Sequence, residues 1–387
     1  GSVWRSSTPA SGTDVDRDAV LAARLANQRL NGPAASGPVQ VVSELLCVQA
    51  QDAPLARAMI ALRCAGRVDD VDGAVARGEI VRTHVLRPTW HYVAASDLRW
   101  LLALTSAKVE SGMAARHRQL GLVGPRLDTA LGVLADRLAG RRFATRGDLG
   151  AALVEAGVLD RADPLFGQQV GHVLLVGELR ALVCSAPAEG AEHSYALVDE
   201  VLPAAEPLSR EAALTELVGR FVAGHGPVAV ADLVRWAKVT LSEVRTALAG
   251  LGDRVARVVV DGEELWHVPD AGLPATRPQP AWLLSVFDEA FLSYRRVSWP
   301  ASAGNLLSDH PRRFAESSGG VVLHQLRDVG GWKRRRSDGG RIELDLDPGL
   351  PDGADEQITG AVGRLQAVFG EASDPGSTLG ADLGGAR

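Results

Sequence analysis

With 387 residues, 46% of them hydrophobic, the chain is long enough for two or three compact units with buried cores. Its formal net charge of −6 excludes a uniformly basic nucleic-acid binder, and three scattered cysteines (Cys47, Cys64, Cys184) without a Cys-x-x-Cys pair indicate neither a disulfide framework nor a zinc site. No apolar run approaches the ~20 residues of a membrane span. No signal peptide is read ahead of the fold, Gly1-Ser2 resembles a vector remnant, and a reducing cytoplasm is the expected compartment.

Residues 14–106 read as a first unit. Asp16 is placed to cap a helix running to Arg29, and Val39 to Val48 read as a second helix ending in the polar residues Gln49, Gln51 and Asp52. Pro54 fits the first turn of a third helix reaching Cys64. Ile80 to Leu86 and Thr89 to Val93 then form a hairpin about Arg87-Pro88, and Asp97 opens a further helix. Helix, helix, helix, hairpin is the order of a winged helix.

The order recurs in residues 107–207. Thr145-Arg146-Gly147-Asp148 resembles a capping box, and the helix it opens ends at Gly157. A second helix spans Pro164 to Val176, and Leu179 to Ser185 pairs with Ser194 to Val198. A third copy, 208–277, has helices at Ser209–Ala223, Val230–Ala237 and Ser242–Leu251, then a hairpin about Asp261-Gly262, the strongest turn signal in the chain. Residues 278–370 change character, with strands expected at Trp282–Phe287, Val321–Leu326, Gly331–Arg335 and Arg341–Leu346. Residues 371–387, rich in Gly, Ser and Asp, read as a disordered tail. The expected class is mainly α with β hairpins (α+β): three tandem winged-helix domains and a β-rich C-terminal subdomain.

Charge is unevenly placed. Between Arg295 and Arg341 ten Lys/Arg stand against four Asp/Glu, so the rest of the chain carries −12. A binding face needs only such a local excess. Lys333, Arg334, Arg335 and Arg336 follow Trp332 on an expected hairpin and are candidates for phosphate contacts, with Arg295-Arg296 and Arg312-Arg313 extending the same surface. A solvated charged turn is the alternative for such a run. Trp282, Phe287, Phe291 and Tyr294 have core spacing.

Four stretches together resemble a known family. Leu45-Leu46-Cys47-Val48-Gln49-Ala50-Gln51-Asp52 is similar to the signature of the AlkZ/YcaQ-type winged-helix DNA glycosylases. Arg87-Pro88-Thr89-Trp90-His91-Tyr92-Val93, Phe287 to Tyr294, and Gly330 to Arg336 follow in the family's order. A Gln-x-Gln triplet alone would carry little weight. The resemblance implies a C-shaped body of three winged helices with a channel for double-stranded DNA, excision of N7-alkylated guanine, no cofactor or metal, and a monomer. Gln-x-Gln at Gln49 and Gln51, where the other branch has an acid at the second position, places the chain on the AlkZ-like side. That branch is associated with antibiotic-producing bacteria and with bulky or cross-linking natural-product genotoxins.

Glutamine does not titrate and cannot be a general base, but its amide oxygen can hold a water and face a developing cation. An N7-alkylated guanine leaves as a neutral base without protonation, so Gln49 and Gln51 are expected to be sufficient as the catalytic pair. Asp52 is a rival water activator; its place two residues before Pro54 equally suits a helix cap. His91 and Thr89 alternate against Trp90 and Tyr92, and either face DNA or the lesion or serve as surface or capping residues. Arg82 and His84 are further lesion- or DNA-binding candidates, and Arg87 is placed to grip a phosphate. The chain's lysines, Lys108, Lys238 and Lys333, are distant in sequence from Gln49, so no lyase step is expected. Winged helices most often bind operators, which leaves a transcriptional regulator, or a non-catalytic lesion binder, as the alternative.

Overall fold

The computed structural model describes residues 16–189, 192–269, 280–295, 299, 319–335 and 337–370, with backbone alone at 187–189 and 192. Asp16 accepts the Asp18 N–H and opens α1 (Arg17–Asn27), whose Val20, Leu21 and Leu25 are buried. Pro38 starts α2 (Pro38–Glu44), and here the expected helix to Val48 is corrected. It stops at Glu44, Leu46 takes a left-handed turn at φ 66°, and Cys47–Gln49 is a strand, β1. A continuous apolar run does not distinguish a buried helix from a buried strand. The decision comes from β2 (Ile80–His84) and β3 (Trp90–Ala94), because β1 pairs antiparallel with β3, Gln49 opposite His91, in a sheet of order β1-β3-β2.

Between these strands run α3 (Ala53–Arg63) and α4 (Val68–Ala76), the latter a helix not expected from the sequence. α5 (Ala95–Gln119) leads to α6 (Pro125–Leu138), also not expected, then β4 (Ala144–Thr145), α7 (Arg146–Glu155) and α8 (Phe166–Leu179). Thr145 and Asp148 cap α7 reciprocally, as their spacing indicates. β5 (Val183–Glu189) and β6 (Glu192–Leu197) complete a sheet of order β4-β6-β5, followed by α9 (Val198–Val201). α10 (Arg210–His225), α11 (Val230–Ala237) and α12 (Leu241–Leu251) are followed by the hairpin of β7 (Ala256–Val260) and β8 (Glu263–His267). Asp261 and Gly262 both take positive φ in its two-residue turn.

The C-terminal part holds β9 (Trp282–Ser285), α13 (Glu289–Leu292), β10 (Gly319–His324), β11 (Arg327–Arg335), β12 (Arg341–Leu346) and α14 (Ala354–Val368). Its antiparallel sheet has the order β12-β11-β10-β9. β9 and β10 approach so closely at Gly320 that a Cβ there would stand 1.8 Å from the Leu284 carbonyl oxygen. This sheet is not a free-standing lobe. Leu284, Val322, Trp332, Ile358 and Leu365 share one apolar core with Leu21, Val41, Val48, Met59 and Ile60 of the first unit. A second core joins α5 to α10, α11 and α12, and a third lies within α6, α7 and α8.

Candidate active site

The first unit carries Gln49 and Gln51 to the surface on an extended edge. Val48 and Ala50 point into the shared core, while Gln49 is half-buried and Gln51 exposed, which is the alternation an extended chain imposes. Gln51 Oε1 accepts the Trp90 N–H at 3.5 Å; among the described residues the Gln49 side-chain amide has no protein hydrogen bond. Asp52 caps α3, its Oδ1 accepting the Leu55 N–H at 3.1 Å.

The peptide that carries the two glutamines is gripped from both sides. Arg82 donates from Nε and Nη2 to the Ala50 carbonyl oxygen at 3.3 and 3.0 Å, and its guanidinium lies 4.2 Å over the Trp90 ring. From the other side Glu289 Oε1 accepts the Gln49 N–H at 3.2 Å. Glu289 is fully buried, and its Oε2 accepts Trp236 Nε1–H at 2.8 Å and Ser293 Oγ–H at 2.9 Å. Beside it His225 is stacked on Phe221 and held by burial at a pKa of about 3, a neutral neighbour.

Two expected DNA contacts are relocated. His91 has no exposed surface: its Nδ1–H donates to the Thr89 carbonyl oxygen at 2.8 Å and its Nε2 accepts from Arg87 Nη2 at 3.0 Å. Burial, with Arg87 adding to it, holds this imidazole well below the usual range, so it stays neutral and able to accept. His91 therefore orients Arg87, whose Nη1 also reaches the Trp236 carbonyl oxygen at 3.3 Å. His84 is buried in a pair with the Glu178 carboxyl of α8, whose pKa burial raises. Alternation along the hairpin is legible in sequence, but it does not say which face another unit covers. Thr89 is half-buried, with no hydrogen bond to its hydroxyl among the described residues.

Arg82 continues to a second seam. Its Nη1 donates to His193 Nδ1 at 3.2 Å, and His193 Nε2–H donates to Ser185 Oγ at 3.1 Å. Burial, then Arg82, pushes the His193 pKa down to about 4, consistent with an accepting ring. On the C-terminal sheet, Lys333 and Arg335 share a face with Glu343, and Arg335 Nε reaches Glu343 at 2.8 Å. Arg334 lies on the opposite, packed face, 4.0 Å over the Phe369 ring. Arg336, Arg296, Arg312 and Arg313 lie outside the described residues. The structure thus gathers Gln49, Gln51, Arg82 and Trp90, and leaves the basic hairpin on a separate sheet.

Sequence reasoning missed Glu289, Trp236 and Glu178. A trace of the first was present: Asp288-Glu289 interrupts an apolar stretch, and adjacent carboxylates there signal buried partners.

The chain belongs to the AlkZ-like DNA glycosylase family, whose model (DNA glycosylase AlkZ-like) matches residues 42–368. It is a DNA glycosylase, a hydrolase of DNA repair. Among solved structures, the DNA glycosylase AlkZ of Streptomyces sahachiroi is similar in fold, with a TM-score of 0.74 at 21% identity over 93% of this chain and 98% of that one. A Corynebacterium diphtheriae protein, DIP2311, aligns over 55% of this chain and 39% of its own, at 16% identity and a TM-score of 0.16. No curated protein matches. No helix among the described residues is long and apolar enough to cross a membrane.

Proposed function

We propose that this protein is a monofunctional glycosylase that hydrolyses the N-glycosidic bond of N7-alkylated guanine in duplex DNA. Its substrates include bulky or cross-linking natural-product adducts, and its role is repair or self-resistance to such a toxin. In this proposal the three helix-and-hairpin units are winged helices arranged as a C-shaped monomer around the duplex. The supporting observation is the pair of amides at Gln49 and Gln51, offered at the surface on a fixed peptide, with the neighbouring carboxylate Asp52 engaged as a cap.

In the reaction, water adds to C1′ as the C1′–N9 bond breaks. The bonding pair goes to N9, so the cationic base leaves neutral, and the water's proton passes to solvent. Because no leaving-group acid is required, the oxygens of Gln49 and Gln51 need only hold the water and face the oxocarbenium-like sugar. Undamaged guanine lacks that positive charge and stays attached. Arg82, Arg87, Thr89, Lys333 and Arg335 are the proposed contacts to DNA or lesion; His84 and His91 act behind them.

Base release from a duplex containing N7-methylguanine or a bulkier N7 adduct tests this. Abasic sites are expected, and the double substitution Gln49→Ala, Gln51→Ala should abolish them while leaving DNA binding in place. No release from any alkylated purine, or sequence-specific operator binding in its stead, sinks the proposal. Borohydride is expected to trap no covalent imine; a trapped adduct would instead show a lyase.

A further inference from the structure

β1 is the outer strand of its sheet. The Ala50 N–H points inward to the Trp90 carbonyl oxygen at 2.7 Å, so the preceding N–H, that of Gln49, points out from the sheet edge. An outward N–H on an edge strand ordinarily meets water or a further strand. Here it meets Glu289 Oε1, on a buried side chain whose other oxygen is fixed by Trp236 of α11 and Ser293 beyond α13. Asp288, next in the chain, is engaged elsewhere, in a two-bond pair with Arg63. The Gln49 amide has no hydrogen bond to the described protein, so its placement derives from its backbone.

We propose that Glu289 is the positioning residue for Gln49: by holding the outward N–H of that edge strand against α11 and α13, it sets where the Gln49 amide stands. The inference rests on the assignment of Gln49 as catalytic. A displacement of about 1 Å at a reacting geometry can cost roughly 100-fold in rate.

Reach and charge can be separated. Glu289→Gln keeps one acceptor oxygen at the same reach for the Gln49 N–H, while its NH2 can donate to Ser293 Oγ but opposes Trp236 Nε1–H, so its melting temperature should fall; Glu289→Asp keeps the carboxyl group but withdraws it by one methylene. The measurements are the single-turnover rate on a duplex containing N7-methylguanine at saturating enzyme, affinity for that duplex, and the melting temperature. Glu289→Gln should retain most of the rate, while Glu289→Asp and Glu289→Ala should lose roughly 10- to 100-fold with affinity unchanged. Added to Gln49→Ala, each should cost clearly less than it does in the parent, because of the two amides on that peptide only Gln51 is left to place.

An active Glu289→Asp with an inactive, folded Glu289→Gln would show action through charge and overturn the inference. So would losses that multiply with Gln49→Ala, as a general structural role predicts. If Glu289→Ala does not fold, the Asp and Gln pair carries the same test. Full excision by Gln49→Ala removes the catalytic assignment itself; full excision by Glu289→Asp and Glu289→Ala beside an inactive Gln49→Ala overturns only the inference.

Discussion

Asp52 and Gln51 are adjacent and chemically close, yet the structure gives them different work. Asp52 satisfies an N–H at the start of α3, so Asp52→Ala should cost about 1 kcal/mol of stability and leave the excision rate nearly unchanged. Urea unfolding and single-turnover kinetics on one preparation check this; a loss of rate matching that of the glutamine pair would put Asp52 in the site. The cap was legible because an acid two residues before a proline is a local signal. The burial of His91 was not legible: Arg87, which donates to it, is itself tied to the Trp236 carbonyl of α11, far along the chain.

Among elements, hairpins were the most legible and β1 the least. Asp261-Gly262 demands its turn locally, whereas Cys47–Gln49 becomes a strand only because β3 offers a partner. α6 and α14 carry the 3.6-residue periodicity of helices (Leu127, Ala130, Leu134, Leu138; Ile358, Ala361, Val362, Leu365), a signal the sequence reading passed over. The β11–β12 hairpin sorts its cations by strand alternation. Lys333→Ala should lower the slope of log affinity against log salt by about 1 for a lost phosphate contact. Arg334→Ala, removed from the Phe369 ring, should instead appear in stability.

At the start of β11, burial and then Asp347 push the Asp328 carboxyl up to about 7, although the Gly330 N–H pulls the other way. The folded state holds that proton more tightly than the unfolded chain, so this contribution is present below pH ~4 and is lost as pH rises through 7. Asp328→Asn, which still accepts the Gly330 N–H, should be more stable than the parent at pH 8 and lose that advantage near pH 4 in urea unfolding.

At the scale of the molecule, the strands that follow Trp282 were legible, but the apolar core that joins them to Leu21, Val41 and Ile60 was not. Side-chain pattern records which face is apolar and not which distant element covers it. The clearest tie is Arg63–Asp288, a two-bond pair with both side chains at most 2% exposed, joining α3 to the start of α13. Removing one partner leaves the other charge buried, so Asp288→Ala should cost about 3–5 kcal/mol in denaturant unfolding. His84–Glu178 joins the first unit to the second, and Arg220–Asp97 joins α10 to α5.

The buried Ala50 between two outward residues has a consequence for how such a site diversifies. Positions 49 and 51 are held through main-chain atoms at 49 and 50, so their side chains can be exchanged without rebuilding the scaffold, while position 50 tolerates little. Gln51→Asp should therefore melt with the parent and add an acidic limb to the pH–rate profile. Reactivity and foldability then vary independently across three consecutive residues.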